Sequence, residues 1–284
     1  MAQFTNQATL SYGTTVTSSN VAVGEVLEVL SITKTAVNDT YGQNDTITYI
    51  ISLINTGSST LSGLTVTDNL GTYPFGVGTL TPLVYTNGSV RYYQNGVLVA
   101  SPTVTVNPSS VEFSPVTVPA NGNATLAYEV SLNNLAPLGA GDTITNVASV
   151  FGGGVTPVSA TEVVTSESTP NVTITKSISP VPVSDGETVT YTFVIQNYGN
   201  TALIATDNAV ISDTFSPVLS NVQASFNGAL WTVGTEYNYD GTSGLFESIG
   251  GFVTVPAATF TQDPVSGIIT TTPGTSTLVI TGTI

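Results

Sequence analysis

The chain has 284 residues, enough for two ordinary domains of about 100–150 residues each. Hydrophobic residues make up 40 %, charged residues only 7 %, and the formal net charge is −15, with Lys34, Arg91 and Lys176 the only basic side chains. Cysteine and histidine are absent. This excludes disulfide staples, thiol catalysis, soft metal sites and the usual general base. So acidic a chain repels nucleic acid and anionic lipid, and no apolar run of about 18 residues is present to span a membrane. We expect neither a metal nor a cofactor.

Thr and Val alternate in short runs throughout, and nowhere do apolar residues recur at helical spacing over three turns. The chain therefore reads as all-β. Residues 1–29 read as an N-terminal donor-strand extension and linker. Its strand, 4–12, alternates Phe4, Asn6, Ala8, Leu10 and Tyr12 on one face. Met1–Gln7 shows neither the charged nor the apolar region of a signal peptide. A mature form, non-classical export and assembly onto a spore all remain open.

Residues 30–168 and 169–284 read as two copies of one domain. The first runs from Ile32-Thr33-Lys34 through Tyr49 and Asn55-Thr56-Gly57 to Thr67-Asp68, the second from Ile174-Thr175-Lys176 through Tyr191 and Asn197-Tyr198-Gly199 to Ser212-Asp213. Lys to Tyr is 15 positions in both, and Lys to Asn 21. Val116-Thr117-Val118-Pro119-Ala120 recurs as Val253-Thr254-Val255-Pro256-Ala257, and Thr125–Leu132 aligns with Thr277–Ile284. Beyond Leu132 the first copy continues to Ile144-Thr145-Asn146-Val147-Ala148-Ser149-Val150. The second copy lacks that last strand. Its counterpart stands at the other end of the chain, as Phe4-Thr5-Asn6-Gln7-Ala8-Thr9-Leu10.

A sandwich without its last strand leaves an open apolar face and unpaired backbone groups, which strand addition from outside fills. Closing the gap within one molecule needs a two-domain ring. Donation to the next copy needs only a repeat of the interdomain link, and such a heterologous contact grows into a filament.

Strand parity places Lys34 with Ile32, Asp68 with Leu64 and Val66, and Asn146 with Ile144, Ala148 and Val150 on inward faces. Lys176, Asp213 and, from the donated strand, Asn6 repeat the set. Two chemistries satisfy buried Lys and Asp. One is an ion pair hydrogen-bonded to the Asn amide. The other is an isopeptide bond, in which desolvation gives a neutral amine and a neutral acid and the Asn amide loses ammonia.

The pattern Ile-Thr-Lys, Tyr, Asn-x-Gly, Thr-Asp, Ile-Thr-Asn-x-Ala resembles the bacterial surface repeat known as domain of unknown function eleven. The Lys–Asp–Asn set is also similar to that of collagen-adhesin-type domains with intramolecular isopeptide bonds. The resemblance implies a bond between Lys34 and Asn146 with Asp68 as catalyst, and an inter-subunit triad of Lys176, Asp213 and Asn6. No sorting motif is recognisable, so wall attachment by that route does not follow.

Asn95-Gly96 and Asn227-Gly228 predict hairpin turns. Arg91 beside Tyr92 and Tyr93 reads as an exposed hairpin charge, with a cation–π pair as the alternative. Trp231, Tyr237 and Tyr239 form either cross-strand packing pairs or a sugar-binding platform. The sequence thus specifies two tandem immunoglobulin-like β-sandwiches with an N-terminal donor strand. The expected function is structural: an extracellular, cell-surface or spore-surface fibre whose partner is the chain itself, with an anchor or tip protein left unidentified. The rivals are a surface adhesin or carbohydrate-binding module, and more remotely a turnover enzyme, for which no acid, base or metal constellation is visible.

Overall fold

The computed structural model describes residues 2–26 and 28–284; the side chains of residues 2–4, 25 and 26 fall outside the described set. The chain divides into two compact units. One is built from the residues up to Ala136 with Thr143–Thr165, the other from Pro137–Asp142 with Ser166–Ile284.

In the first unit, the leading segment forms β1 (Ala2–Asn6), β2 (Thr9–Tyr12), β3 (Thr15–Ser18) and β4 (Ala22–Val26). The body follows with β5 (Leu30–Ala36), β6 (Thr40–Tyr41), β7 (Thr46–Asn55), β8 (Leu61–Asp68), β9 (Tyr73–Phe75), β10 (Gly78–Leu80) and β11 (Leu83–Tyr85). It continues through β12 (Arg91–Gln94), β13 (Val97–Val99), β14 (Thr103–Asn107), β15 (Ser110–Val118), β16 (Gly122–Leu132), β17 (Thr143–Gly152) and β18 (Val158–Ser166). One sheet has the order β13-β12-β16-β7-β5, with β11 also on β16; the other runs β14-β15-β8-β17-β18-β6.

Period-two alternation sets these faces. In β7, Ile47, Tyr49, Ile51, Leu53 and Asn55 are buried while their neighbours are not. In β16, Ala124, Leu126, Tyr128, Val130 and Leu132 do the same. Their register puts Tyr49 opposite Tyr128. The facing sheet buries Leu64, Val66, Val111, Phe113, Ala148 and Val150. Each of the larger side chains among them (all but Ala148) contributes about 1.5–3 kcal/mol.

The second unit comprises β19 (Val172–Ser179), β20 (Thr188–Asn197), a single 3-10 turn (Ala205–Asp207), β21 (Ser212–Thr214), β22 (Ser220–Phe226), β23 (Ala229–Leu230), β24 (Tyr237–Tyr239), β25 (Leu245–Ser248), β26 (Thr259–Gln262), β27 (Ile269–Thr272) and β28 (Gly274–Thr283). Its main sheet is β19-β20-β28-β22-β23, faced by a short sheet β21-β25-β24. The repeat is visible in the pairing. Lys34 lies opposite Ile51 and Lys176 opposite Phe193, while Tyr49 lies opposite Tyr128 and Tyr191 opposite Ile280. The all-β architecture read from the sequence is the architecture of the chain.

The two Asn-x-Gly motifs are structural brackets. Asn55 accepts from the Gly57 amide and donates to the carbonyls of Ser59 and Pro119 at 2.8 and 3.0 Å. Asn197 accepts from Gly199 and Asn171 and donates to Thr201 and Pro256. The Asn-Gly turns also form as expected, with φ of 46° and 78° at Asn95 and Gly96, and 49° and 81° at Asn227 and Gly228.

The N-terminal segment differs from its reading as one strand and a linker. Residues 13–26 are the return arm of a hairpin: β4 pairs β1 and β3 pairs β2. Strand 4–12 is itself interrupted at Gln7–Ala8, where Ser19 bonds both the amide and the carbonyl of Ala8. The Thr/Val alternation of 15–26 is strand-forming, and Gly13 at φ +55° reverses the chain. Its described side chains stand exposed, Leu10 at 62 %, Tyr12 at 63 % and Val16 at 66 %.

Asn55→Ala removes four hydrogen bonds at a buried position, one from the Gly57 amide and three to the carbonyls of Ser59, Val118 and Pro119. We expect a loss of about 2–4 kcal/mol, read as a lower urea midpoint at unchanged slope.

Candidate functional site

Lys34 and Asp68 meet in the core of the first unit. Alternation turns Lys34 of β5 inward, and the last residue of β8 brings Asp68 across from it. Their side chains are fully buried and in direct contact, Lys34 Nζ donating to Asp68 Oδ2. The Tyr128 hydroxyl donates to that same oxygen, and the Leu70 amide donates to Oδ1 at 2.7 Å. The ammonium also lies 4.5 Å from the centroid of the Tyr49 ring. Tyr128 packs against Phe113 at 5.0 Å, Tyr49 at 6.2 Å and Tyr85 at 6.3 Å, so the pair is walled by aromatic rings.

Burial pulls the Lys34 ammonium down to about 8, against the opposing pull of the Asp68 carboxylate and, more weakly, of Glu162. Burial likewise pushes the phenols of Tyr49 and Tyr128 upward.

The cover over this pair is β17. It pairs β8 with Ala148 opposite Asp68, and the same face carries Asn146, two residues away and fully buried. Both amide atoms of Asn146 and the Tyr49 hydroxyl lack a hydrogen bond of good geometry. Orphaned buried polar atoms cost about 1–3 kcal/mol each. The structure therefore joins Lys34 to Asp68, and places Asn146 beside them on the adjoining strand without a hydrogen bond to either. Glu162, opposite Asn146 on β18, accepts from the Ala36 amide at 3.1 Å.

In the second unit Lys176 Nζ lies 2.5 Å from Asp213 Oδ2. The rings of Tyr191, Phe215 and Phe193 surround the ammonium at 4.7, 5.2 and 5.5 Å. Among the described residues no strand lies where β17 lies in the first unit. β21 is paired on one side only among the described residues, to β25, whereas β8 is paired to both β15 and β17. Lys176 and Asp213 side chains are 40 % and 19 % exposed, against 0 % for both partners in the first unit. All of β19 is exposed, Val172, Ile174 and Ile178 included.

Asn6 stands exposed in β1, opposite Ala22. Ala8, Leu10 and Tyr12 are exposed as well, while the side chain of Phe4 lies outside the described residues. Tyr128 and Glu162 were not singled out by sequence. The signal for Tyr128 was its inward parity in β16 next to the Tyr49 register, which becomes readable only once the sheet order is known.

Trp231 is a core residue rather than a sugar platform. It is 9 % exposed and stacks on Phe226 at 5.2 Å, and Tyr237 stacks on Phe246. Arg91 is an exposed cap that donates to the carbonyls of Gly88, Ser89 and Val90. No described group of His, Cys, Asp and Glu is arranged to hold a metal ion, and no described helix is long and apolar enough to cross a membrane.

No family model and no curated protein matches the chain. The resemblance to the surface-repeat family therefore rests on its motifs alone. Solved structures do match. The major pilin subunit BcpA of Bacillus cereus is similar at 13 % identity and a TM-score of 0.37, over 96 % of this chain and 73 % of that one. The 35 kDa C-terminal fragment of the major pilin GBS80 of Streptococcus agalactiae is similar at 12 % and 0.35, over 87 % and 91 %. The collagen-binding subdomain of the Enterococcus faecalis surface protein ACE is similar at 7 % and 0.30, over 51 % and 99 %. No residue role is carried over from likenesses this weak.

An Asn146→Ala chain keeps a free Lys34 amine, and its stability should rise with pH. The folded ammonium releases its proton near 8 and the unfolded one near 10.5, so the unfolded chain binds more protons between those values. Unfolding free energy should climb there by up to about 1.4 kcal/mol per pH unit. The phenols of Tyr49 and Tyr128, still protonated when folded, reverse the trend above about pH 10. Urea titrations between about pH 7 and 10 give the slope; a fall across that range contradicts a buried, destabilised ammonium.

Proposed function

We propose that this chain is a structural subunit of a bacterial surface fibre, which polymerises when the strand 4–12 of one copy enters the second unit of the next. The contrast between the two Lys–Asp pairs carries this reading. Lys34–Asp68 is sealed by β17, which brings Asn146; Lys176–Asp213 is open where β17 would lie, among exposed apolar residues of β19. An exposed segment of this same chain matches the missing cover residue for residue, with Asn6 for Asn146, Ala8 for Ala148 and Leu10 for Val150. Once docked, its inward residues would bury both apolar surfaces and supply backbone partners to the free edge of β21. Because donor and acceptor are different surfaces, the contact propagates rather than closing on a dimer.

The joints are then locked covalently. The neutral Lys34 amine attacks the Asn146 Cγ, forming the N–C bond and breaking the bond from Cγ to Nδ2. The Asp68 carboxyl polarises the amide carbonyl and relays the amine proton to the departing nitrogen, which leaves as ammonia. Burial favours this by drawing the Lys34 ammonium down to about 8, which raises the neutral fraction of the amine, and burial beside Asn146 supplies proximity. Lys176, Asp213 and Asn6 of the neighbouring copy carry out the same exchange between subunits. An exposed fibre with no cysteine gains its strength by this route without any oxidant. The low charge and acidic balance suit a solvent-facing polymer rather than a nucleic-acid or lipid binder.

Purified wild type should form fibres by electron microscopy and a ladder after boiling in detergent. Asn6→Ala and Lys176→Ala should each reduce the ladder to single subunits. Those subunits should still be lighter by one ammonia, a deficit that Lys34→Ala abolishes. Monomers under all conditions, together with a full calculated mass, would sink both assembly and bonding.

A further inference from the structure

Resting on the strand donation above, we propose that the donated element is a two-stranded hairpin, and that β4 enters the neighbour's second unit together with β1. In the first unit β17 does not act alone as cover. It is itself bordered by β18, which lies between β17 and β6. β18 is tied to the body of the unit twice, by the Thr165 amide donating to the Asp39 carbonyl at 2.8 Å and by Glu162 accepting from Ala36. A single strand in the place of β17 would still leave an open edge.

Along β1 and β4 the N-terminal hairpin reproduces this pair in register. Asn146 lies opposite Glu162, and Asn6 opposite Ala22; 146 minus 6 and 162 minus 22 both give 140. Ile144 opposite Val164 and Phe4 opposite Gly24 give the same offset, as do Thr143 with Thr165 and Gln3 with Glu25. A slip of one residue would turn every side chain to the wrong face, so the shared register of β1 and β4 is a specific match; it ends at the Gln7–Ala8 interruption, beyond which Leu10 lies opposite Thr17 where Val150 opposite Val158 would place Ser18. The chain also leaves both hairpins alike: Glu162 precedes Lys176 by 14 residues and Ala22 precedes Lys34 by 12.

The receiving surface is present in the second unit. Lys34 and Lys176 differ by 142 positions, which maps Ala36 and Asp39, the partners of β18, onto Ile178 and Val181. These are 42 % and 74 % exposed. On the donor side Val21 and Val23 are 49 % and 60 % exposed, and an isolated two-stranded ribbon is at best marginally stable in water. A second copy of this chain therefore supplies both arms of the hairpin to Lys176, Asp213 and the strip from Ile178 to Val181.

The chain has no cysteine of its own, so single introduced cysteines report contacts cleanly. In fibres from co-expressed Ala22→Cys and Ile178→Cys chains, we expect a reduction-sensitive disulfide between peptides carrying positions 22 and 178. Val23→Pro, which removes an amide from β4 and leaves the sequence of β1 intact, should lower the yield of polymer at least ten-fold. Wild-type-like fibres with no 22–178 link overturn the hairpin and leave single-strand donation standing, whatever Val23→Pro does. Wild-type protein that stays monomeric sinks both.

Discussion

A lysine ammonium buried against a carboxylate in an apolar sandwich is the constraint on which the rest of the first unit is arranged. Desolvating that charge is expensive, and contact with Asp68 alone does not offset it, as the depressed titration of Lys34 shows. The surroundings are built to hold the pair regardless. Asp68 is fixed by the Tyr128 hydroxyl and the Leu70 amide, Tyr49 lies under the ammonium, and β17 closes the top. Take away the cover and the same residues stand in partial contact with solvent, which is the condition of Lys176 and Asp213.

Much of this was legible in the sequence because β structure advertises its faces. The spacing from Lys34 to Tyr49 and Asn55, repeated from Lys176, fixed which residues share a position in the two sheets, and alternation turned both lysines inward. The Asn-Gly turns were visible because their geometry is local, whereas the bracketing by Asn55 and Asn197 was not, since it reaches Pro119 and Pro256 on distant segments. Tyr128 was not, since its role depends on β16 lying beside β7, a neighbourhood that no short-range pattern encodes. The return arm of the N-terminal hairpin was missed because Thr- and Val-rich segments serve equally as linkers and as strands until a partner strand is assigned. Trp231 left two readings open, packing and a sugar platform, and only its stacking on Phe226 within the core decides for packing.

The two sites are not chemically identical. Ile280 of β28 takes the place of Tyr128 opposite the shared tyrosine, so Asp213 has no phenol from that strand. In the proposed joint, Ala22 would stand opposite Asn6 where Glu162 stands opposite Asn146. Each difference removes a polar group, leaving a simpler Lys–Asp set among Tyr191, Phe193 and Phe215. A site that forms within one chain can be tuned during folding. One that is completed by another molecule must wait in water beforehand, and a sparer set of polar groups has fewer hydrogen bonds to exchange when the cover arrives.

The positions of Lys34 and Asn146 along the chain have a mechanical consequence. Lys34 sits on the strand by which the chain enters the sandwich, and Asn146 on the penultimate strand before it leaves. With the proposed bond in place, tension applied along the chain passes from one to the other through a single amide. The residues between them, β6 to β16 among them, lie in a closed loop that carries no load. Such a domain cannot be unravelled by pulling on its ends, and only the short segments flanking the bond are left to stretch.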